Sequence, residues 1–295
     1  NHRTKDMVFG VPLSRTTGMN TYYQNIGELA NSGFEVSVMA RLINRNDFTW
    51  NVSVNGSHNK NEIKKLSTDL PIEYTYQIVE VGRDYYTFKM KEWAGVDPET
   101  GRGLWYLNEE GDETTNNYNL AKKRYVGKAT PDFQGGLTNN LKWKGFDMSF
   151  QFNFSVGSKI YGNHLRYDEQ IGNSFASPYT KYVEENRWRK PGDNAKVPML
   201  MFTSGVTENS NSSRFLMDGS YLKFRSFSLG YTLPSNVVSK LGLSRSRVFF
   251  NAENIYTFSD SEYRGFDPAS VGANGVQWWN YPTPRSFVFG LTLGF

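Results

Sequence analysis

The sequence predicts an all-β protein, an antiparallel transmembrane β-barrel or a part of one, on three observations. Apolar and polar residues alternate strictly over several segments, which is typical of strands with one apolar and one polar face. The connections between these segments are alternately short and long, as in outer-membrane barrels. The polar faces consist mainly of Ser, Thr, Asn and Gln, which suit a water-filled lumen.

Eight strands are expected. The first fills about a dozen residues at the start of the chain, and residues 146–156 give the clearest alternation, Phe-Asp-Met-Ser-Phe-Gln-Phe-Asn-Phe-Ser-Val. The same period of two, with weaker contrast in places, places the remaining strands at residues 34–43, 48–55, 132–143, 221–233, 247–258 and 287–295.

The connections predict which end of the sheet carries the mass of the protein. Residues 44–47 and 144–145 are rich in Asn, Asp and Gly, which favour hairpin turns. Residues 234–245 form a longer connection with one expected helical turn at 237–241. The long connections are expected at residues 13–30, 61–130, 158–219 and 259–284, all at the opposite end of the strands. In a membrane barrel the short turns are periplasmic and the long loops extracellular.

Rings beside the short turns predict an aromatic girdle at the membrane interface. They are Phe48, Trp50, Trp143, Phe146 and Tyr231. A soluble β-sandwich also alternates, but its wet face is usually charged. The uncharged polar faces therefore favour the barrel, although periodicity alone leaves the sandwich open.

Composition excludes several classes of protein. Aromatic residues make up 16% of the 295 residues, too many for a disordered chain. No apolar run approaches the roughly 20 residues of a membrane-spanning helix. The chain has no cysteine, which excludes disulfides and thiolate chemistry. The net charge of +4 comes from mixed charges along the chain and does not predict a nucleic-acid partner.

The sequence predicts no metal site, no cofactor and no catalytic site. His2, His58 and His164 are far apart and lack metal-ligand spacing. Residues 97–101, Asp-Pro-Glu-Thr-Gly, are better explained as a β-turn than as a calcium loop. Pairs of carboxylates lie only in expected loops, with no nucleophile or base arranged beside them.

Aromatic residues in the long connections are the candidate substrate-binding residues. Aromatic faces beside polar side chains suit the C–H faces and hydroxyls of a sugar, and equally the side chains and backbone of a peptide. The alternative is that these rings only pack the loops against each other or against a partner. The candidates are Trp93, Trp105, Tyr106, Trp188, Trp278 and Trp279.

Several longer motifs, spread over nearly the whole chain, allow a resemblance to be stated. They include Asn-Ile-Gly-Glu at 25–28, Gly-Val-Asp-Pro-Glu-Thr-Gly at 95–101, Pro-Asp-Phe-Gln-Gly-Gly at 131–136, Arg-Phe-Leu-Met-Asp-Gly-Ser-Tyr-Leu-Lys at 214–223, Ser-Leu-Gly-Tyr-Thr-Leu-Pro at 228–234, Ala-Glu-Asn-Ile-Tyr-Thr-Phe at 252–258 and Gly-Phe-Asp-Pro at 265–268. In order and spacing the chain resembles the C-terminal part of a SusC/RagA-type TonB-dependent outer-membrane transporter.

This resemblance implies that residues 1–295 are the C-terminal portion of the barrel, about eight of some 22 strands, with the plug domain and the earlier strands outside this sequence. It implies the outer membrane of a Gram-negative bacterium of the Bacteroidetes type, and a barrel-assembly signal at Phe295.

The implied function is import of a large nutrient, an oligosaccharide or an oligopeptide, without covalent chemistry. The implied partners are outer-membrane lipid, a SusD-like surface lipoprotein and, through the plug, the TonB complex. The alternative is a complete small outer-membrane barrel with a structural or adhesive role.

Overall fold

The computed structural model describes residues 1–13, 15–19, 21–66, 70–172, 178–202 and 206–295. Eight long strands form one antiparallel sheet in which each strand pairs with its neighbours in chain order. All eight expected strands are confirmed. They are β1 (His2–Pro12), β2 (Thr21–Arg45), β3 (Phe48–Leu66), β4 (Phe133–Trp143), β5 (Phe146–Val156), β6 (Tyr221–Thr232), β7 (Arg245–Ser259) and β8 (Ser286–Gly294).

The apolar residues of these strands share one face of the sheet. Phe48 pairs with Trp143, Trp143 with Phe146, and Phe146 with Tyr231, so one row of rings crosses β3 to β6 beside the short turns. The Phe146 and Tyr231 ring centroids are 4.3 Å apart. The row of rings expected from the sequence is thus present on one face.

This apolar face is open to its surroundings. Val38 of β2 is 54% exposed and Phe289 of β8 is 80% exposed, although both lie in the middle of paired strands. A continuous exposed apolar face of this size is unfavourable in water and favourable against lipid. The face therefore has the chemistry of a membrane-embedded wall.

The opposite, polar face consists mainly of small uncharged side chains in register. Ser53 pairs with Thr138, and Thr138 pairs with Gln151. One row nearer the short turns, Ser228 of β6 donates a hydrogen bond to Asn251 Oδ1 of β7 at 2.7 Å. The predicted polar face is confirmed, and it also carries charged residues such as Asp147, Lys223 and Arg247.

The short connections lie at one end of the sheet. Lys144 and Gly145 both have positive φ, +43° and +90°, as a two-residue hairpin between β4 and β5 requires. Asn46 and Asp47 turn the chain between β2 and β3. The β6–β7 connection contains the helix Ser235–Val238 and the 3-10 helix Ser239–Leu241, so the expected helical turn is present and begins earlier than residue 237.

Two long connections are shorter than expected. β2 begins at Thr21 and β3 runs to Leu66, so parts of residues 13–30 and 61–130 belong to strands, paired for example through Gly27 and Leu66. A membrane strand needs about 9–11 residues, whereas β2 has 25 and β3 has 19. Their outer parts extend beyond the apolar face, so alternation is lost there and the sequence does not reveal them.

The long connections are folded. The connection after β3 forms a four-stranded sheet (Ile72–Glu73, Gln77–Val79, Thr87–Lys91, Lys123–Lys128) and a three-stranded sheet (Trp93–Val96, Gly103–Tyr106, Thr114–Thr115). A further three-stranded sheet joins Lys159–Gly162 and Leu216–Asp218 to Val276–Gln277 of the connection after β7. The short helices here are Leu165–Asp168, Lys181–Asn186, Ser213–Phe215 and Pro268–Ser270, and Arg15–Thr17 lies between β1 and β2.

No helix of the described ranges is long and apolar enough to span a membrane.

Candidate functional site

The three connections after β3, β5 and β7 pack into one layer, here called the loop layer. Its core includes Phe88 from the first connection and Tyr161 and Phe215 from the second, all with no exposed surface. Val276 from the third packs against the same core. The loop layer is therefore held together by a shared apolar core at the long-loop end of the sheet.

A buried charge network also holds the loop layer. Glu169, 2% exposed, accepts a hydrogen bond from Arg264 Nε at 2.7 Å, and its other oxygen lies 3.9 Å from Arg214 Nη2. Arg214 Nη1 donates to the Glu208 carbonyl at 2.9 Å. Burial lowers the pKa of Arg214 to about 10, so the side chain is still charged at neutral pH. The network links the connections after β5 and β7.

Glu208 extends this network to the first connection. The Glu208 carboxylate is fully buried and pairs with Arg102 Nε at 2.7 Å. Its second oxygen accepts from the Thr207 backbone N–H at 3.1 Å. Buried ion pairs fix the arrangement of the groups they join, because breaking one leaves an uncompensated buried charge.

Trp93, Trp105 and Tyr106 serve packing in this structure. Trp105 has no exposed surface and meets Trp93 and Tyr118 edge-to-face, at 5.3 and 5.5 Å between centroids. Trp105 therefore does not reach a ligand as placed, because its ring is enclosed by neighbouring rings. The half-buried Tyr106 ring lies under the Arg124 guanidinium at 4.8 Å.

Trp188 supports a turn. Its indole Nε1 donates to the Pro98 carbonyl at 2.7 Å, and its ring lies against Gly101, where an added Cβ would come within 2.5 Å of ring carbon. Residues 97–101 form a turn, but Gly101 N donates to the Asp97 carbonyl at 2.8 Å, an i→i+4 bond that makes it an α-turn where a β-turn was expected. The Thr100 hydroxyl donates to Asp97 and lowers the pKa of that carboxyl.

Trp278 and Trp279 form the exposed aromatic surface among the candidates. They are 46% and 53% exposed, and the Trp279 ring lies 5.1 Å from the ring of Tyr167 in the preceding connection. Trp279 Nε1 donates to Asp168 Oδ1 at 3.2 Å, which holds the two connections together. Tyr167, Trp278 and Trp279 are here called the aromatic patch.

A cavity of about 370 Å³, which the sequence does not predict, lies where the loop layer meets the sheet. Gln134, Ser155 and Tyr221 line it and occupy adjacent positions of one row on the polar face of β4, β5 and β6. Residues 268–275 of the last connection line another side of the cavity. The alternation of the predicted strands places these three residues on the polar face, near the long-loop ends of β4, β5 and β6. That position is the one feature of the sequence that points to the cavity.

Two of the three histidines, His58 and His164, have structural partners. His58 Nδ1 is 2.6 Å from the Asp132 carbonyl oxygen, and its ring lies between those of Phe34 and Phe133. His164 is buried against Phe266. No group of three or more metal-ligating side chains occurs within the described ranges.

The carboxylate pair at 184 and 185 has a structural explanation. Glu184 accepts hydrogen bonds from Arg187 and Arg189 at 3.0 and 2.7 Å, which lower its pKa to about 2. A carboxyl held in its ionised form by two cations is unsuited to general acid catalysis.

Comparison with known proteins decides the family. The chain is 32% identical to TonB-dependent receptor P3 of Formosa agariphila, over 99% of the chain and 31% of that protein. It is 24% identical to TonB-dependent receptor SusC of Bacteroides thetaiotaomicron, over 99% of the chain and 29% of that protein. The chain belongs to the SusC/RagA-type TonB-dependent transporters. No family model matches it.

The solved structures agree with this assignment. The RagAB peptide transporter superposes with a TM-score of 0.83 at 28% identity, over 99% of the chain and 32% of that chain. The "open-open" state of the RagAB peptide importer gives the same TM-score. Members of the SusC/RagA type are outer-membrane β-barrels, so the apolar face is the lipid face and the polar face is the lumen face. The chain spans about a third of the length of these relatives.

Proposed function

We propose that the full-length SusC/RagA-type protein is an active importer that takes up a large nutrient, an oligosaccharide or oligopeptide, across the outer membrane. The observation that carries the proposal is the loop layer, packed as one unit over the long-loop end of a lipid-facing wall. The relatives are named as receptors and transporters, which supports a role without catalysis.

Strand pairing favours the importer over a complete eight-stranded barrel with a structural or adhesive role. Within the described ranges β1 pairs only with β2, and β8 only with β7. A complete small barrel requires these two edges to pair with each other. Two open edges instead suit a wall that continues into further strands, as expected if residues 1–295 are the C-terminal portion of a larger barrel.

The proposed partners are a SusD-like surface lipoprotein at the extracellular end and the TonB complex at the periplasmic end. A large pore must be sealed at rest, so its opening requires a part of the protein other than these strands, the plug on which TonB acts. The aromatic patch supports contact with the lipoprotein or with substrate, because large rings with an apolar face and a polar edge are frequent at binding surfaces.

The test is uptake by the organism that carries the full-length gene. Deletion of this gene or of TonB is expected to abolish uptake of the same labelled oligosaccharide or oligopeptide, and the purified transporter is expected to carry a surface lipoprotein with it. Trp278→Ala with Trp279→Ala is expected to weaken lipoprotein binding or uptake, whereas Leu120→Ala, an exposed apolar residue of the first connection, is not. Uptake that is unaffected by loss of TonB would contradict the proposal.

A further inference from the structure

We propose that the cavity between the loop layer and the sheet is a binding site for an uncharged, hydroxyl-rich unit of an oligosaccharide. This inference rests on the proposed import function and specifies its substrate class. The volume of about 370 Å³ falls at the lower end of the range for small-molecule sites, about 300–1,000 Å³. The cavity is therefore large enough for part of a chain-like substrate and not for a protein segment with tertiary structure.

The lining of the cavity offers free hydrogen-bonding groups. Within the described ranges, the side-chain amide of Gln134 and the hydroxyls of Ser155 and Tyr221 make no hydrogen bond to the protein. Tyr86 lines the cavity beside them. Amides and hydroxyls both donate and accept, as the hydroxyls of a sugar require.

None of the described residues that line the cavity is charged. Two lysines beside the cavity are already paired: Lys223 Nζ is 2.5 Å from Asp267 Oδ2, and Lys128 Nζ is 2.7 Å from Asp132 Oδ1. The Asp84 carboxylate lies behind the lining, where it accepts hydrogen bonds from the Tyr86 N–H and the Thr130 hydroxyl. A site of this kind does not compensate the desolvation of an ionised ligand group, which is costly. An uncharged ligand is therefore favoured over an acidic glycan or a charged peptide.

The backbone around the cavity also disfavours a peptide. Extended peptides commonly bind by adding a strand to an open sheet edge. At the cavity, Gln134 of β4 is paired with Ser57 on one side and with Ser155 on the other, and Ser155 is paired with Tyr221. No strand edge is open along this row, so the available contacts are side-chain polar groups and the rings of Tyr86 and Tyr221, which suit the C–H face of a pyranose.

The cavity is preorganised. Lys223 on the lumen face pairs with Asp267, and Asp267 accepts from the Ala269 N–H, which positions residues 268–275 over the sheet. Gly275, with φ of +65°, fits closely: an added Cβ would come within 2.5 Å of Ala129 Cβ. On the other rim the Thr130 hydroxyl donates to Asp84 at 2.9 Å. A site that is already formed loses less free energy on binding.

The experiment uses the full-length transporter with its lipoprotein, purified in detergent, and isothermal titration. The probes are neutral hexasaccharides of starch, xylan and mannan, the acidic hexasaccharide of polygalacturonate, and a hexapeptide of Ala, Ser and Gly. The variants are Gln134→Ala and Tyr221→Phe. The matched control is Gln151→Ala. Gln151 lies on the same lumen face, four residues before Ser155 on β5, and does not line the cavity.

A neutral hexasaccharide is expected to bind, and each cavity variant is expected to raise its Kd by about twofold to tenfold, the value of one neutral hydrogen bond. Gln151→Ala is expected to leave it unchanged. Binding that is equal in the cavity variants and the control overturns the site while leaving the importer intact. Binding and uptake of the hexapeptide alone overturn the substrate class. Loss of TonB without effect on any uptake overturns the import function itself.

Discussion

Arg247 of β7 forms an ion pair with Asp147 of β5 across the intervening strand β6. Arg247 Nη2 lies 2.5 Å from Asp147 Oδ2, and Arg247 Nε lies 3.2 Å from Asp147 Oδ1. The Arg247 side chain passes over Gly230 of β6 to reach Asp147, and a Cβ added at Gly230 would come within 2.1 Å of Arg247 Nη2. The pair therefore depends on the absence of a side chain at residue 230, and it connects three strands on the lumen face near the short turns.

Gly230→Ala is expected to displace the Arg247 side chain and break this pair at a cost of about 1 kcal/mol or less, because the pair is partly exposed and the obstructing atoms end a flexible side chain. Gly135→Ala is expected to cost more, because its Cβ would lie 2.3 Å from the backbone oxygen of Asn55. Urea unfolding of the full-length barrel in detergent, followed by heat-modifiable gel mobility, measures both. A larger loss for Gly230→Ala would contradict the structure.

Phe152→Arg is expected to destabilise the barrel by roughly 2–4 kcal/mol, the cost of a cation on the lipid face near the middle of the bilayer. Phe152 lies on the apolar face, with its ring 4.7 Å from that of Phe224. Ser149→Arg is the control, since Ser149 lies on the lumen face between Asn140 and Ser228. Equal losses in the two variants, measured by urea unfolding, would mean that the two faces are assigned the wrong way round.

The eight strands were predictable because each has one face against lipid and one toward the lumen, and this imposes a period of two. The same reason explains the errors. Residues 21–33 of β2 and 61–66 of β3 extend beyond the lipid-facing region, so their two faces differ little and only the pairing in the structure reveals them. The small sheets of the loop layer, with strands such as Ile72–Glu73, are too short to show a period.

The candidate site was less predictable because the sequence shows residue types and not which loops meet. Trp105 and Trp279 look alike in the sequence, because each is a tryptophan in a long connection. In the structure Trp105 is enclosed by the rings of Trp93 and Tyr118, whereas Trp279 is 53% exposed. The cavity combines Gln134 and Tyr221 with a distant connection, and each of these residues alone is unremarkable on a lumen face.

Phe295→Ser is expected to lower the amount of assembled protein in the outer membrane, if Phe295 is the barrel-assembly signal. Phe287, Phe289, Leu291 and Leu293 are exposed on β8, and Phe295 follows them in phase and is 94% exposed. Phe287→Ser, at the opposite end of the same row, is the control for loss of an apolar side chain. Cell fractionation with heat-modifiable mobility measures the assembled fraction, and equal yields for the two variants would contradict the assignment.

Asp84 is expected to make the loop layer less stable as pH rises. Burial raises the pKa of Asp84 in the folded protein, so the folded state binds a proton more tightly than the unfolded state. Protonation of Asp84 therefore stabilises the folded state. This contribution is fully present below pH 3.8, the ordinary pKa of the carboxyl, and is lost as the pH rises through the raised pKa of the folded state. Asp84→Asn, which retains an acceptor for Tyr86 N and Thr130, is expected to flatten this dependence. Hydrogen exchange of the loop layer, corrected for the intrinsic pH dependence of exchange, measures this stability as a function of pH. Asp112→Asn is the control. Identical pH profiles for wild type and Asp84→Asn would contradict the prediction.

Glu169→Gln is expected to loosen the loop layer while leaving the sheet intact. The substitution keeps the shape of the side chain but removes the charge that faces Arg214 and Arg264, and Arg214 is almost fully buried. Removing one partner of a buried ion pair costs about 3–5 kcal/mol, which corresponds to at least a hundredfold faster exchange of backbone amides that open with this network. Glu185→Gln is the control, because Glu185 pairs with Lys181 on an exposed surface where such pairs contribute about 1 kcal/mol or less. Hydrogen exchange of the full-length transporter should therefore show increased exchange for Glu169→Gln in residues 164–172 and 206–217, with β4 and β5 unchanged. Unchanged exchange in those two segments would mean that the apolar core around Phe88, Tyr161 and Phe215 holds the loop layer without the charge network.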